Sequence, residues 1–294
     1  SIVIGEVVRR ASISKENINE VIMGNVLSAN LGQAPARQAC LGAGLDDKIE
    51  CMTINKVCGS GLKAVMLADQ SIKTGDSDIV IAGGMENMSL APHYISDSRT
   101  GTLFGHSKII DSILKDGLWD PYNDFAMGKC AEKLCYEKKY TREAQDKYAI
   151  ESYRRSNEAI KNGFFKDEIC NVEVSNKKAT LIIENDEEPM KFNKDKISKL
   201  RPAFSKEGTI TAANASSLSD GAASVLIASE KKICLVHLSA RWINNYYAES
   251  DFLNLILKLQ SKFNLALTTD DTTKEKFNLI FKRYPIINNY QFDH

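Results

Sequence analysis

The sequence has no glycine after Gly221. Tight turns at positive φ favour glycine, so the stretch from Lys231 to His294 is not expected to continue an ordinary α/β arrangement. Asparagine and aromatics crowd it instead, as in Asn244-Asn245-Tyr246-Tyr247 and Asn288-Asn289-Tyr290. No apolar run approaches the ~20 residues of a membrane-spanning helix. The seven cysteines include no Cys-x-x-Cys pair, so zinc-ribbon and thioredoxin-type sites lack support. Scattered free thiols fit a reducing compartment. Cys40, Cys51, Cys170 and Cys234 read as small buried apolar residues. Nor is there an excess of one charge: 38 basic and 38 acidic residues cancel. No global field then draws the chain to nucleic acid or anionic membrane, while a local basic patch for a phosphate-bearing ligand stays open. The chain opens at Ser1 without a signal-peptide pattern, and we expect it to begin inside a longer one.

What is present alternates helix and strand over residues 1–90. Helical spacing places Val7, Val8 and Ala11 on one face, and Ser14 suits an N-cap. Val21 to Gly24 reads as a short buried strand, Ala34 to Gly42 as a helix stopped by Gly44, and Cys51 to Val57 as a second strand. Residues 62–73 read as an amphipathic helix with Leu62, Val65, Met66 and Ile72 inward. Ile79 to Ala82 reads as a buried strand closed by Gly83-Gly84. This succession predicts an α/β fold with a mostly parallel sheet. Residues 91–207 carry more charge and fewer strand signals, with a long helix from near Thr141 to Gly163; they read as an inserted excursion. Residues 208–230 return to small and apolar residues, as if the main sheet resumes. Residues 231–294 form a divergent tail, with helical spacing over Phe252–Leu259.

One segment carries chemistry. Asn55-Lys56-Val57-Cys58-Gly59-Ser60-Gly61 follows a strand and opens a helix. A thiol there meets unpaired N–H groups and the positive end of a helix dipole, which favours the thiolate. Such an N–H could also stabilise an oxyanion on a bound thioester. Gly59 and Gly61 clear space for a ligand. The alternative is a small buried cysteine in a tight βα turn. The four histidines, His93, His106, His237 and His294, lie in no motif that fixes one as a base beside Cys58. A dinucleotide fingerprint fits poorly: no third glycine follows Gly59-Ser60-Gly61 at the required spacing.

The stretch from Asn55 to Val65 resembles the nucleophile segment of the thiolase family. Met23-Gly24-Asn25-Val26-Leu27 and Gly32 to Gln38 resemble the segments before it. Ala82 to Ser89, Lys115-Asp116-Gly117-Leu118, Met127-Gly128, Lys199 to Phe204 and Gly208 to Gly221 continue the match in order. The resemblance implies a βαβαβαββ half with an inserted loop domain that covers coenzyme A, the C-terminal half being incomplete. It implies acyl transfer between acetyl-CoA and acetoacetyl-CoA through a Cys58 acyl-enzyme, with coenzyme A as substrate and no cofactor required. Longer-chain 3-ketoacyl-CoA substrates are the near alternative. It implies a coenzyme A and acyl pocket lined by Leu118, Met127, Phe204, Ala212, Ala215 and Ser216. The plainer alternatives are core packing for Leu118 and Phe204 and a turn or cap role for Ser216. Tyr153 with Ala212, Ala213 and Ala215 resembles the potassium site of the mitochondrial branch; without the match Tyr153 reads as packing on a helix. A homodimer or tetramer, in the mitochondrial matrix or cytoplasm, is the implied setting.

The sequence also departs from the family. The family's first strand would precede Ser1, and its loss is expected to expose a sheet edge. Ala126 stands where many thiolases place histidine. The family's Asn-Glu-Ala-Phe, Gly-His-Pro and Cys-x-Gly-Gly-Gly motifs have no counterpart after residue 230. Asn157-Glu158-Ala159 lies in the excursion, Gly105-His106 is followed by serine, and Cys234 by no glycine. General acid–base groups are therefore missing, and little or no turnover is expected of this chain alone. A remnant that binds coenzyme A or pairs with thiolase subunits is the alternative of a different class.

Overall fold

In the computed structural model, which describes residues 1–101, 104–175, 179–229, 233–238, 254, 258 and 264–269, one strand is buried on both faces. It is β1 (Glu20–Gly24), which follows helix α1 (Ile2–Ala11). Helix α2 (Pro35–Gly42) leads to β2 (Glu50–Ile54), and helix α3 (Ser60–Thr74) to β3 (Ile79–Asn87). β1 pairs in parallel with β2 on one side, Ile22 beside Met52, and with β3 on the other, Ile22 beside Ala82.

Strand alternation sorts the apolar side chains into two layers. Val21, Met23 and Ile81 face Ile4 and Val8 of α1 and Ala36, Ala39 and Cys40 of α2. Ile22, Val80 and Ala82 face Ala64 and Ala68 of α3. This is the expected α/β class, with helices on both faces of a mostly parallel sheet. The inward face of α3 agrees with the expectation at Val65 and Ile72, which pack half-buried against this layer, and differs at Leu62 and Met66. Small Ala64 and Ala68 are fully buried, whereas Leu62 is 69% exposed and Met66 48%. Side chains without bulk let the helix approach the sheet, while Leu62 and Met66 turn outward.

β2 stops at Ile54 rather than reaching Val57. The Asn55 carboxamide oxygen accepts from Val57 N at 2.9 Å, which folds the chain into a turn. Cys40 is buried as expected, but Cys51 and Cys170 are only half-buried.

After β3 the chain makes short hairpins: β4 (His93–Tyr94) with β5 (Ile110–Asp111), and β6 (Trp119–Asp120) with β7 (Phe125–Ala126). Helices α4 (Met127–Lys138) and α5 (Arg142–Lys161) follow. The Thr141 hydroxyl caps α5 by accepting from Ala144 N, and Gly163 stands beyond its end at φ 69°. β8 (Val172–Ser175) and β9 (Thr180–Ile183) form another hairpin, followed by short helices α6 (Glu187–Met190) and α7 (Lys194–Ile197). β10 (Asp220–Ala228) then joins the sheet, giving the order β10-β3-β1-β2. β1 and β3 are thus paired on both sides, so the edge expected from the family's first strand is not open between them. The sheet's edges are β10 and β2.

The residues from Ala228 to His294 form a second unit. Within it, β11 (Ile233–Leu238) and β12 (Asn264–Thr269) pair in parallel, Ile233 beside Asn264. The helical spacing over Phe252–Leu259 lies outside the described residues except at Asn254 and Lys258, both helical. No described helix is long and apolar enough to cross a membrane.

Candidate active site

The turn between β2 and α3 is built by local hydrogen bonds. Val57 sits in the left-handed region at φ 48°, a conformation that a β-branched residue seldom adopts. Ser60 brackets it: its hydroxyl accepts from Lys56 N at 2.8 Å and donates to Val57 O at 2.6 Å. Gly59 N meets Lys56 O at 3.1 Å. Between these fixed points Cys58 is exposed, with a free thiol. That excludes the buried-cysteine reading. No described side chain hydrogen-bonds the thiol. His93 and His106 are exposed elsewhere, His237 lies in β11, and His294 falls outside the described residues.

The helix opens against glycine. A Cβ on Gly24, at the end of β1, would stand 2.7 Å from Ser60. Gly61 and Gly84 lie in ordinary contact: a Cβ on Gly84 would be 3.5 Å from the Gly61 Cα. Small residues at these positions seat the start of α3 on the carboxyl ends of the strands, where open α/β sheets place their ligands.

A hydrogen-bond network around Glu86 lies at that same end. The Glu86 carboxylate, on β3, accepts from Val26 N at 2.9 Å, Leu27 N at 3.0 Å and the Asn25 amide at 3.0 Å. The Asn25 amide also donates to Met85 O, while its carboxamide oxygen, buried, has no protein partner. The only signal in the sequence was an acid at the end of a strand, two residues after a glycine pair. Leu27 continues outward, its side chain 3.4 Å from where a Gly117 Cβ would be. The loop that Glu86 fixes therefore leads directly to the next group of residues.

Leu118 closes a wide helical turn over Ile113–Gly117, and its carbonyl accepts from Met127 N at 2.9 Å. A Cβ on Gly128 would overlap the Phe204 ring. The structure thus brings Leu118, Met127 and Phe204 together at the start of α4. The Thr209–Ser216 segment is tied to the same helices. Glu132, on α4, accepts from Thr209 N at 2.9 Å, Ile210 N at 2.9 Å and the Thr209 hydroxyl at 3.2 Å. Asp146, on α5, accepts from the Asn214 amide at 2.9 Å and from Arg142 at 2.7 Å. Ala212 and Ser216 are exposed on this turn, and Ala213 and Ala215 half-buried.

Tyr153 is committed elsewhere. Its hydroxyl donates to Glu188 at 3.1 Å, and its ring stacks on Phe192 with centroids 4.7 Å apart. Burial first, and the Glu188 carboxylate second, push the phenol above its ordinary range, so it stays neutral. No described hydrogen bond draws Tyr153 to the alanines at 212, 213 and 215.

Residues 1–231 match the family model described as the thiolase N-terminal domain. The chain is similar to an acetyl-CoA acetyltransferase of Yarrowia lipolytica, 52% identical over 225 residues, which cover 76% of this chain and 56% of that protein. It is also similar to acetyl-CoA acetyltransferase 2 of Arabidopsis thaliana, 51% identical over 251 residues, 84% of this chain and 62% of that one. Among solved structures it resembles a thiolase of Ascaris suum in complex with coenzyme A, with a TM-score of 0.72 and 42% identity. That likeness covers 78% of this chain and 58% of the other. The chain therefore spans somewhat under two thirds of the length of these relatives.

Proposed function

The chain belongs to the thiolase family through its N-terminal domain, and from this premise we propose that it provides the acyl-accepting half of an acetyl-CoA acetyltransferase. The observation that carries the reading is Cys58, an exposed free thiol at the start of α3 on the carboxyl end of the sheet. Its thiolate attacks the thioester carbon of acetyl-CoA. The carbonyl becomes a tetrahedral oxyanion, which collapses to an acetyl-cysteine and expels coenzyme A as its thiolate. In condensation, a second acetyl-CoA, deprotonated at its methyl carbon, attacks that acetyl group, breaks its bond to sulfur and gives acetoacetyl-CoA and the Cys58 thiolate. Leu118, Met127 and Phe204 form one wall of the coenzyme A pocket in this proposal, and Ala212, Ala215 and Ser216 the turn beside it. The relative from Ascaris suum, solved with coenzyme A, supports that ligand.

The second half-reaction needs a base to move the methyl proton, and no described histidine or second cysteine hydrogen-bonds Cys58. We therefore assign acylation of Cys58 to this chain and place efficient condensation outside it. Substrate length is proposed as short; rates across an acyl-CoA series test it. The carbonyls of Ala212, Ala213 and Ala215 are oxygens suited to a hard cation, and potassium is proposed there with the Tyr153 hydroxyl, which would accept the ion while still donating to Glu188. Equal melting temperatures in potassium and sodium chloride would remove it. β2 is a sheet edge, which supports assembly as a homodimer or tetramer; sedimentation tests this. The mitochondrial matrix or cytoplasm is the proposed compartment, in keeping with the free thiols.

Intact-mass measurement after incubation with acetyl-CoA tests the central step. One added acetyl group, absent from Cys58→Ser, is expected. Robust acetoacetyl-CoA thiolysis by the purified chain would overturn its restriction to acylation, and absence of acetylation at Cys58 would overturn the reading itself.

A further inference from the structure

We propose that Ser60 is a positioning residue for Cys58, holding the strained turn that presents the thiol; the inference rests on Cys58 being the nucleophile of the site. Ser60 does not act as a helix cap. The N-cap position is Gly59, and it makes no side-chain cap bond. Instead the Ser60 hydroxyl reaches backward across Cys58. It accepts from Lys56 N and donates to Val57 O, at 2.8 and 2.6 Å, and Ser60 N donates to the same Val57 carbonyl at 3.1 Å. Residues on both sides of the cysteine are thereby joined through one side chain, 4% exposed.

The feature those bonds maintain is unfavourable in isolation. Val57 is β-branched and held at φ 48°, and nothing in its own chemistry favours that region. Strained backbone persists only where surrounding contacts over-determine it, and it gathers at functional sites. Here the contacts are Ser60 at the Val57 carbonyl and Asn55 at the Val57 amide, the latter at 2.9 Å. Ser60 is itself fixed from behind, because only glycine at position 24 leaves room for it. Without the clamp, Val57 returns to negative φ. The Val57–Cys58 peptide plane then rotates and carries the thiol away from the start of α3.

The experiment measures Cys58 in the full chain with two probes: alkylation by iodoacetamide, which needs no pocket, and acetylation by acetyl-CoA. Cys58→Ser gives the background from other thiols. We expect Ser60→Ala to slow acetylation by about tenfold or more, the scale on which small misplacement acts, and to slow alkylation in the same direction as the thiol leaves the start of α3. Asn55→Ala, at an exposed position, should slow them in the same direction by less. Adding Val57→Gly to Ser60→Ala should restore much of the alkylation rate, because glycine adopts positive φ without strain. A purely structural role for Ser60 would give no such recovery. If Ser60→Ala does not fold, Asn55→Ala decides. Unchanged alkylation in the folded variants, or no recovery with Val57→Gly, overturns the inference. Alkylation of the unsubstituted chain without any acetylation would instead overturn the nucleophile reading, leaving the Ser60 clamp to be judged on alkylation alone.

Discussion

The Phe204 ring occupies the space in which a side chain on residue 128 would begin. Two segments far apart in sequence, the start of α4 and the stretch before Thr209, are in van der Waals contact only because residue 128 is glycine. Gly128→Ala should therefore push ring and helix apart. We expect a loss of about 1–3 kcal/mol in unfolding free energy, the usual cost of overfilling a packed site. Coenzyme A binding should weaken with it. Combining Gly128→Ala with Phe204→Ala should cost less than the sum of the two, because the clash is removed with the ring. Additive losses in urea titrations would mean that the contact does not matter energetically.

Glu132 makes a second prediction. Its carboxylate receives two backbone N–H groups and a hydroxyl from Thr209 and Ile210, and Ile210 is buried. A carboxamide in its place turns one acceptor into a donor facing donors. Glu132→Gln should lower stability by about 1.5–3 kcal/mol, the range for hydrogen bonds to charged groups. The turn bearing Ala212 and Ala215 should loosen, read as faster amide exchange at Asn214 and Ala215, whose amides now donate to Thr211 O. Slow exchange at both amides in the variant would show that Asp146 alone holds the turn.

Much of the fold was legible because periodicity and punctuation agree. Val21 to Gly24 is apolar and ends in glycine, and it is β1; Thr141 and Gly163 bracket α5 by their capping chemistry. The nucleophile turn was legible for the same reason, since Cys58 stands between a strand and a glycine-flanked helix. The end of β2 was not, because an Asn55 side-chain bond ends the strand while the apolar pattern runs on to Val57. The inward face of α3 was half legible, at Val65 and Ile72 but not at Leu62 and Met66, for a related reason. Periodicity finds bulky apolar residues, whereas close approach to a sheet selects alanine at 64 and 68. Glu86 and Glu132 escaped because a carboxylate that accepts backbone amides looks, in a sequence, like any surface acid.

Cys40 and Cys58 should differ sharply in reactivity. Burial first, and a hydrogen bond with the neighbouring Cys51 thiol second, push the Cys40 thiol up to about 12. At pH 8 only about one molecule in ten thousand then carries its thiolate, the reactive form. Under native conditions a thiol reagent should label exposed Cys58 and leave Cys40 untouched until urea unfolds the chain. Early modification of Cys40, located by peptide mass analysis, would contradict its place in the core between α2 and the sheet.

Glu20 gives the chain a pH dependence of definite sign. Burial first, then the Glu50 and Asp76 carboxylates, raise its pKa, and a Ser71 hydrogen bond opposes them. In the unfolded chain the same carboxyl ionises near its ordinary value. The folded chain therefore keeps the proton to higher pH, and stability falls as pH rises from the ordinary carboxylate range through the raised value. Above that window the penalty is fully present. Glu20→Gln removes it, because the carboxamide stays neutral at every pH. At pH 7 the variant should melt higher than the unsubstituted chain, by a small margin because solvent screens the half-buried carboxyl. Near pH 4 the two should coincide, since the native carboxyl is then protonated as well. The depressed carboxyls of Glu6 and Glu151 also titrate in acid, but they are common to both proteins and cancel in the difference. A gap in melting temperature that stays constant from pH 4 to 8 would show that Glu20 is not held in its neutral form by the fold.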